Sequence, residues 1–199
     1  MRVSILLGIV VWLYVLSVLK RARLSAFYFI AGSAGLFFIL TSISRPYWVW
    51  FFTHAVIHGV ALFNDVTNWC TIMYKMGLVY ISNAGNSVIM SIDYECSGII
   101  ETCAFIALVA FFPMYKRKEK VFYSLFGLIY IFLINVLRLS VVITFVHFGG
   151  GETFFLAHSI LGRLIFYVLI IVLYYNVFTY SQLAQGLYRD FVDWRHDKL

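Results

Sequence analysis

The sequence predicts an all-α polytopic membrane protein: a helical bundle of about five spans, with an interfacial helix and a small extracellular β-hairpin. Three observations carry that prediction. Of the 199 residues, 63% are hydrophobic and only 12% charged, against roughly 25% charged residues in a soluble domain. The apolar residues gather in runs near the ~20-residue length that crosses a bilayer. The basic residues cluster between those runs, as loop charges do in membrane proteins.

Taken in order, the spans are Ser4–Leu19, Leu24–Ile43, Gly98–Met114, Val121–Val146 and Ile160–Phe178. Arg2 ahead of the first run resembles a secretion signal, but Lys20, Arg21 and Arg23 follow with no small-residue cleavage site, so a retained helix is expected. Lys20, Arg21 and Arg23 fill the first loop, Lys116, Arg117, Lys118 and Lys120 the loop between spans three and four, and Arg189, Arg195 and Lys198 the tail. With five spans these share one side, which the positive-inside rule makes cytoplasmic. The N-terminus is then outside and the C-terminus inside a multi-pass cell-membrane protein. The net charge of +6 is used in this topology; no basic run interleaves with aromatics as a nucleic-acid surface would.

Residues 47–63, from Tyr47-Trp48-Val49-Trp50 onward, are apolar enough to suggest a sixth span. Crossing there would send the Lys116–Lys120 cluster outside, so the stretch reads as an interfacial or re-entrant helix with its aromatics at headgroup level. Leu78–Tyr94 reads as a hairpin. Val79 and Ile81 alternate before Asn83-Ala84-Gly85-Asn86, and Val88, Met90, Ile92 and Tyr94 alternate after it. Open strand edges are excluded from lipid, so the hairpin belongs outside, within a 47–95 extracytoplasmic unit of one single-domain chain.

The hairpin delivers the chain to Cys96-Ser97-Gly98 at the start of span three. A helix N-terminus favours a thiolate, its free N–H groups can receive an oxyanion, and Gly98 permits close approach. Arg138 is a cation inside span four, a costly placement and by default a functional one. It lies 17 residues beyond Val121, roughly 25 Å along the helix at ~1.5 Å per residue, near the outer level of Cys96. Asn135, three residues earlier on the same face, can hold the guanidinium. His158 opens span five on the same side and suits general acid–base work; His147, in the same outer loop, is its rival. Glu101 and Arg163 lie five residues inward of Cys96 and His158, and pairing of Glu101 with Arg163 or Arg138 would tie spans three, four and five together. His54 and His58 stand at i and i+4 but lack a third metal ligand, so neither metal nor cofactor is expected. Three cysteines without a CxxC motif argue against a disulfide framework, leaving a single Cys70–Cys96 bond as the alternative.

Cys96-Ser97-Gly98-Ile99 after a hairpin, Asn135-x-x-Arg138 near the outer end of the next span, and His158 with Gly162 at the start of another resemble the exosortase/archaeosortase family of membrane-embedded cysteine transpeptidases. The likeness covers residues 78–170. The short chain resembles in particular the small Gram-positive form, exosortase G. It implies Cys96 as nucleophile, Arg138 as essential cation and His158, in place of His147, as third catalytic residue; Ser97, Gly98, Asn135, Glu101 and Arg163 are the supporting residues that the sequence itself offers. The implied activity is cleavage of C-terminal sorting signals of surface proteins at the outer membrane face and transfer to an acceptor. Expected partners are membrane lipids, a substrate with a C-terminal transmembrane signal, and a lipid or glycan acceptor. Two other classes fit the residues alone: a noncatalytic membrane component of a surface-polysaccharide or export system, and an extracytoplasmic thiol–disulfide protein using Cys70 and Cys96.

Overall fold

The computed structural model describes residues 3–44, 47–82, 87–92 and 94–180. The expected turn at Asn83–Asn86 and the tail residues Arg189, Arg195 and Lys198 lie outside these. Helices α1 (Val3–Arg21), α2 (Ser25–Ile43) and α3 (Tyr47–Thr67) precede strands β1 (Cys70–Met73), β2 (Leu78–Ile81) and β3 (Val88–Ser91). Helices α4 (Ile99–Phe111), α5 (Arg117–Gly149) and α6 (Gly162–Tyr174) follow, α6 being flanked by π-helical turns at Leu156–Leu161 and Tyr175–Tyr180. Among the described residues, four stretches are long and apolar enough to cross a membrane: Ser25–Ile43, Tyr47–Thr67, Arg117–Gly149 and Gly151–Thr179. The chain is a helical membrane protein.

Several boundaries differ from the sequence reading for local reasons. The third span, expected over 98–114, is only the 13-residue α4, about 20 Å long. Gly98 starts it in a left-handed conformation (φ 74°), and Phe112, extended at ψ 121°, ends it; a residue before proline, here Pro113, is disfavoured in helix. The fourth extends to 33 residues, about 50 Å against a ~30 Å hydrocarbon core. At its start the Lys116 N–H donates to Glu119 Oε2 at 2.8 Å, a capping contact that sets the first turn. The stretch expected to be interfacial over 47–63 is one continuous helix that runs on to Thr67.

The hairpin is present, with a strand added. β2 and β3 pair antiparallel with Leu78 opposite Ser91 and Ile81 opposite Val88, burying Val79, Ile81, Met90 and Ile92 on one face. β1 pairs with the other edge of β2, Cys70 opposite Ile81, so the order is β1-β2-β3.

Two cores stack along α5. One joins the sheet (Val79, Ile81, Met90), α3 (Val56, Ile57, Val60) and the final turns of α5 (Leu139, Val142, Ile143, Val146). The other joins α4, the first half of α5, and α6 with the turn that follows it, through Phe105, Phe112, Tyr115, Ile131 and Leu173. In that second region Tyr28 meets Phe111 at 5.6 Å and Phe29 meets Phe112 at 6.2 Å, ring centre to ring centre. The start of α2 therefore lies beside the end of α4. The Lys20–Arg23 and Lys116–Lys120 clusters consequently share one end of the bundle, opposite the sheet.

Candidate active site

The chain leaves β3 and makes a 3₁₀ turn at Tyr94–Cys96 before α4 begins at Ile99. Cys96 thus stands just ahead of the helix, and not in its first turn as expected. Ser97 holds the turn by donating from Oγ to the Tyr94 carbonyl at 2.8 Å, while its Oγ accepts from the Ile99 N–H at 3.4 Å. Gly98 is needed for its positive φ, which costs side-chain-bearing residues about 1–2 kcal/mol.

Asn135 departs from expectation. Its Nδ2 donates to the Cys96 carbonyl at 2.6 Å, and its buried Oδ1 has no hydrogen-bond partner, so it fastens the cysteine turn to α5 instead of holding Arg138. Arg138, one turn further along and 7% exposed, places its guanidinium carbon 5.2 Å from the centre of the Phe166 ring. That cation–π contact from α6 helps hold it, while its Nη2 is buried without a partner. The Arg138 stem packs where α6 has no side chain: a Cβ on Gly162 would lie 3.4 Å from Arg138 Cγ and 3.0 Å from Val142 Cγ2.

His158 lies in the π-helical turn at Leu156–Leu161, a distortion frequent at functional sites. Its Nε2 is 3.9 Å from Cys96 Sγ. The ring stacks on Phe154 with centres 5.4 Å apart and planes 7° apart, and Nδ1 is buried without a hydrogen-bond partner.

These groups meet at a cavity of about 250 Å³ lined by Cys96, Glu101, Arg138, His158, Arg163 and Tyr167, among others. Residues from three separate helical stretches are brought together there. Glu101 and Arg163 share its walls with Arg138, although Arg138 Nη2 is left without a hydrogen bond. All three buried, unpartnered side-chain polar atoms among the described residues, Asn135 Oδ1, Arg138 Nη2 and His158 Nδ1, belong to residues of this region. Unsatisfied buried polar atoms are rare in ordinary packing.

The rival residues sit elsewhere. His147 Nδ1 bonds the Ser82 carbonyl at 3.0 Å, and its ring stacks on Trp69, which turns it towards the sheet. His54 bonds the Trp50 carbonyl and His58 stacks on Tyr74. Cys70 is a free thiol that donates to Asn64 Oδ1 at 3.2 Å; burial pushes its pKa up to about 11. The sequence reading missed Phe154 and Phe166. Phe154 was signalled by its place four residues before His158, on one helix face; Phe166 carried no comparable signal, because its partner is on another helix.

The chain matches no family model, no curated protein and no solved structure.

Proposed function

We propose that the protein is a membrane-embedded cysteine transpeptidase or peptidase acting on C-terminal sorting signals of surface proteins, in the manner of the exosortase/archaeosortase enzymes. The observation that carries this reading is the 3.9 Å approach of Cys96 Sγ to His158 Nε2 on the cavity that also exposes Arg138. A nucleophile and base lie within or somewhat beyond hydrogen-bond reach when no substrate is bound. The thiol passes its proton to Nε2 and the sulfur attacks the peptide carbonyl carbon. Arg138, with an unused donor, faces the negative charge that develops on the sulfur and then on the carbonyl oxygen. Collapse of the tetrahedral intermediate breaks the C–N bond, and His158 returns the proton to the leaving amine. The thioester is then resolved by an acceptor nucleophile or by water, whose proton His158 takes.

The topology follows the same reading. The bundle end bearing Lys20–Arg23 and Lys116–Lys120 is cytoplasmic by the positive-inside rule, which places the sheet and the cavity outside. Five segments cross, α4 with its flanking turns among them. α3 lies at the interface, where it packs under the sheet and presents Tyr47, Trp48 and Trp50, all exposed. The substrate arrives with its transmembrane signal, and the acceptor is a lipid or glycan.

The test is mass spectrometry of the C-termini of candidate surface proteins in cells with the wild-type chain, Cys96→Ala or Cys96→Ser. New C-termini, with the acceptor's mass added where transfer occurs, are expected only with wild type. Unchanged processing by either variant, at normal membrane levels, removes Cys96 as nucleophile.

A further inference from the structure

We infer that Phe154 is a positioning residue for the His158 imidazole, so that this site orients its acid–base by ring stacking where a hydrogen bond to the second ring nitrogen would ordinarily serve. The inference rests on the reading of Cys96 and His158 as a reacting pair. In nucleophile–base pairs the base is commonly oriented by a third group, and a histidine's second ring nitrogen is the usual point of attachment. Here that nitrogen, Nδ1, is buried and bonds nothing. The χ2 torsion of histidine is broad and roughly two-fold, so a ring without that bond is poorly defined in plane.

Phe154 supplies the missing constraint. Its ring lies nearly parallel to the imidazole, with a 7° interplanar angle and centres 5.4 Å apart, an offset stack of the kind aromatic pairs favour. It stands four residues before His158, across the entry to the π-helical turn. Ala157, fully buried between them in sequence, fixes that turn against the core containing Cys96. Stacking sets the ring plane, and the sulfur at 3.9 Å selects which edge faces the cavity. Leucine preserves apolar bulk at position 154 but offers no flat face, whereas tyrosine does.

The experiment uses the full chain in detergent and iodoacetamide as the probe, with alkylation of Cys96 followed residue by residue by peptide mass spectrometry between pH 5 and 9. Alkylation forms an S–C bond from the thiolate and expels iodide, so its rate reports how readily the thiol is deprotonated beside His158. His158→Ala defines the profile without that help. Phe154→Leu is expected to slow alkylation near neutral pH by about ten-fold, part of the 10²–10⁴ typical of a positioned base, and to move the profile towards that of His158→Ala. Phe154→Tyr is expected to stay within about two-fold of wild type, since the stacking face is retained. A wild-type profile for Phe154→Leu, or equal losses in the Leu and Tyr variants, overturns the positioning role. If Phe154→Leu fails to accumulate, Phe154→Met is judged by the same two criteria. A His158→Ala profile identical to wild type overturns the Cys96–His158 pairing itself, a different failure from that of Phe154.

Discussion

Asn135 Nδ2 donates to the Cys96 carbonyl at 2.6 Å, so the turn that presents the thiol is fastened to the same helix that carries Arg138. Both partners are buried, and removing one leaves the carbonyl unsatisfied at about 1–3 kcal/mol. Asn135→Leu is expected to lower the melting temperature in detergent by about 2–4 °C for each kcal/mol lost in a chain of this size. It should also reduce Cys96-dependent processing. A variant with wild-type melting and processing would show that the bond does not hold the turn.

Gly98→Ala acts on the other side of that turn. Its φ of 74° is retained only at a cost of about 1–2 kcal/mol for alanine, and the added Cβ would sit 3.4 Å from Asn135 Nδ2. Thermal unfolding should detect the loss, and iodoacetamide mapping should find Cys96 displaced from its wild-type reactivity. Unaltered stability would contradict the left-handed turn.

At Arg138 the charge and the planar group are separable. Arg138→Met keeps an apolar stem of similar length and should reduce processing by about 10²–10³, as loss of one electrostatic stabiliser does. Arg138→Lys keeps the charge but not the flat face over Phe166, and an intermediate rate is expected. Equal rates for Lys and wild type would make the Phe166 contact irrelevant to the reaction.

Cys70 predicts a pH dependence of the opposite kind from an activated thiol. Burial raises its pKa to about 11, so the neutral thiol persists through pH 8 and the reactive thiolate appears only as pH rises towards that value. Against an ordinary cysteine with pKa near 8.5, alkylation of Cys70 at pH 8 should be slower by about two orders of magnitude in the folded protein. Rapid labelling at pH 8, or recovery of a Cys70–Cys96 disulfide from oxidised membranes, would favour the thiol–disulfide reading.

Much of this arrangement was legible in the sequence because lipid restricts the alternatives. A cation such as Arg138 within an apolar run announces itself, and counting residues from Val121 set its height near that of Cys96. The alternation of Val79, Ile81, Met90 and Ile92 marked the buried face of the hairpin. Strand β1 was not legible, since Cys70-Thr71-Ile72-Met73 is too short for its alternation to stand out and depends on pairing with β2. The length of α3 was obscured by the competing requirement to keep the basic loops on one side. The role of Asn135 was misread because i, i+3 spacing identifies neighbours on one helix, whereas its bond crosses to another segment. Phe154 and Phe166 were not singled out, because what distinguishes them is the placement of their rings against His158 and Arg138.

The division of the site between helices has a mechanical consequence. Cys96, tied through its carbonyl to α5, and Arg138, rooted in that helix, are displaced together when α5 tilts, but His158 belongs to the stretch leading into α6. The sulfur–imidazole gap therefore registers any sliding of one long helix against the other. Bilayer thickness biases the tilt of a 33-residue helix through hydrophobic mismatch, so in the proposed enzyme a change of membrane thickness is expected to alter the Cys96–His158 gap, and with it the rate of processing, without altering a single residue.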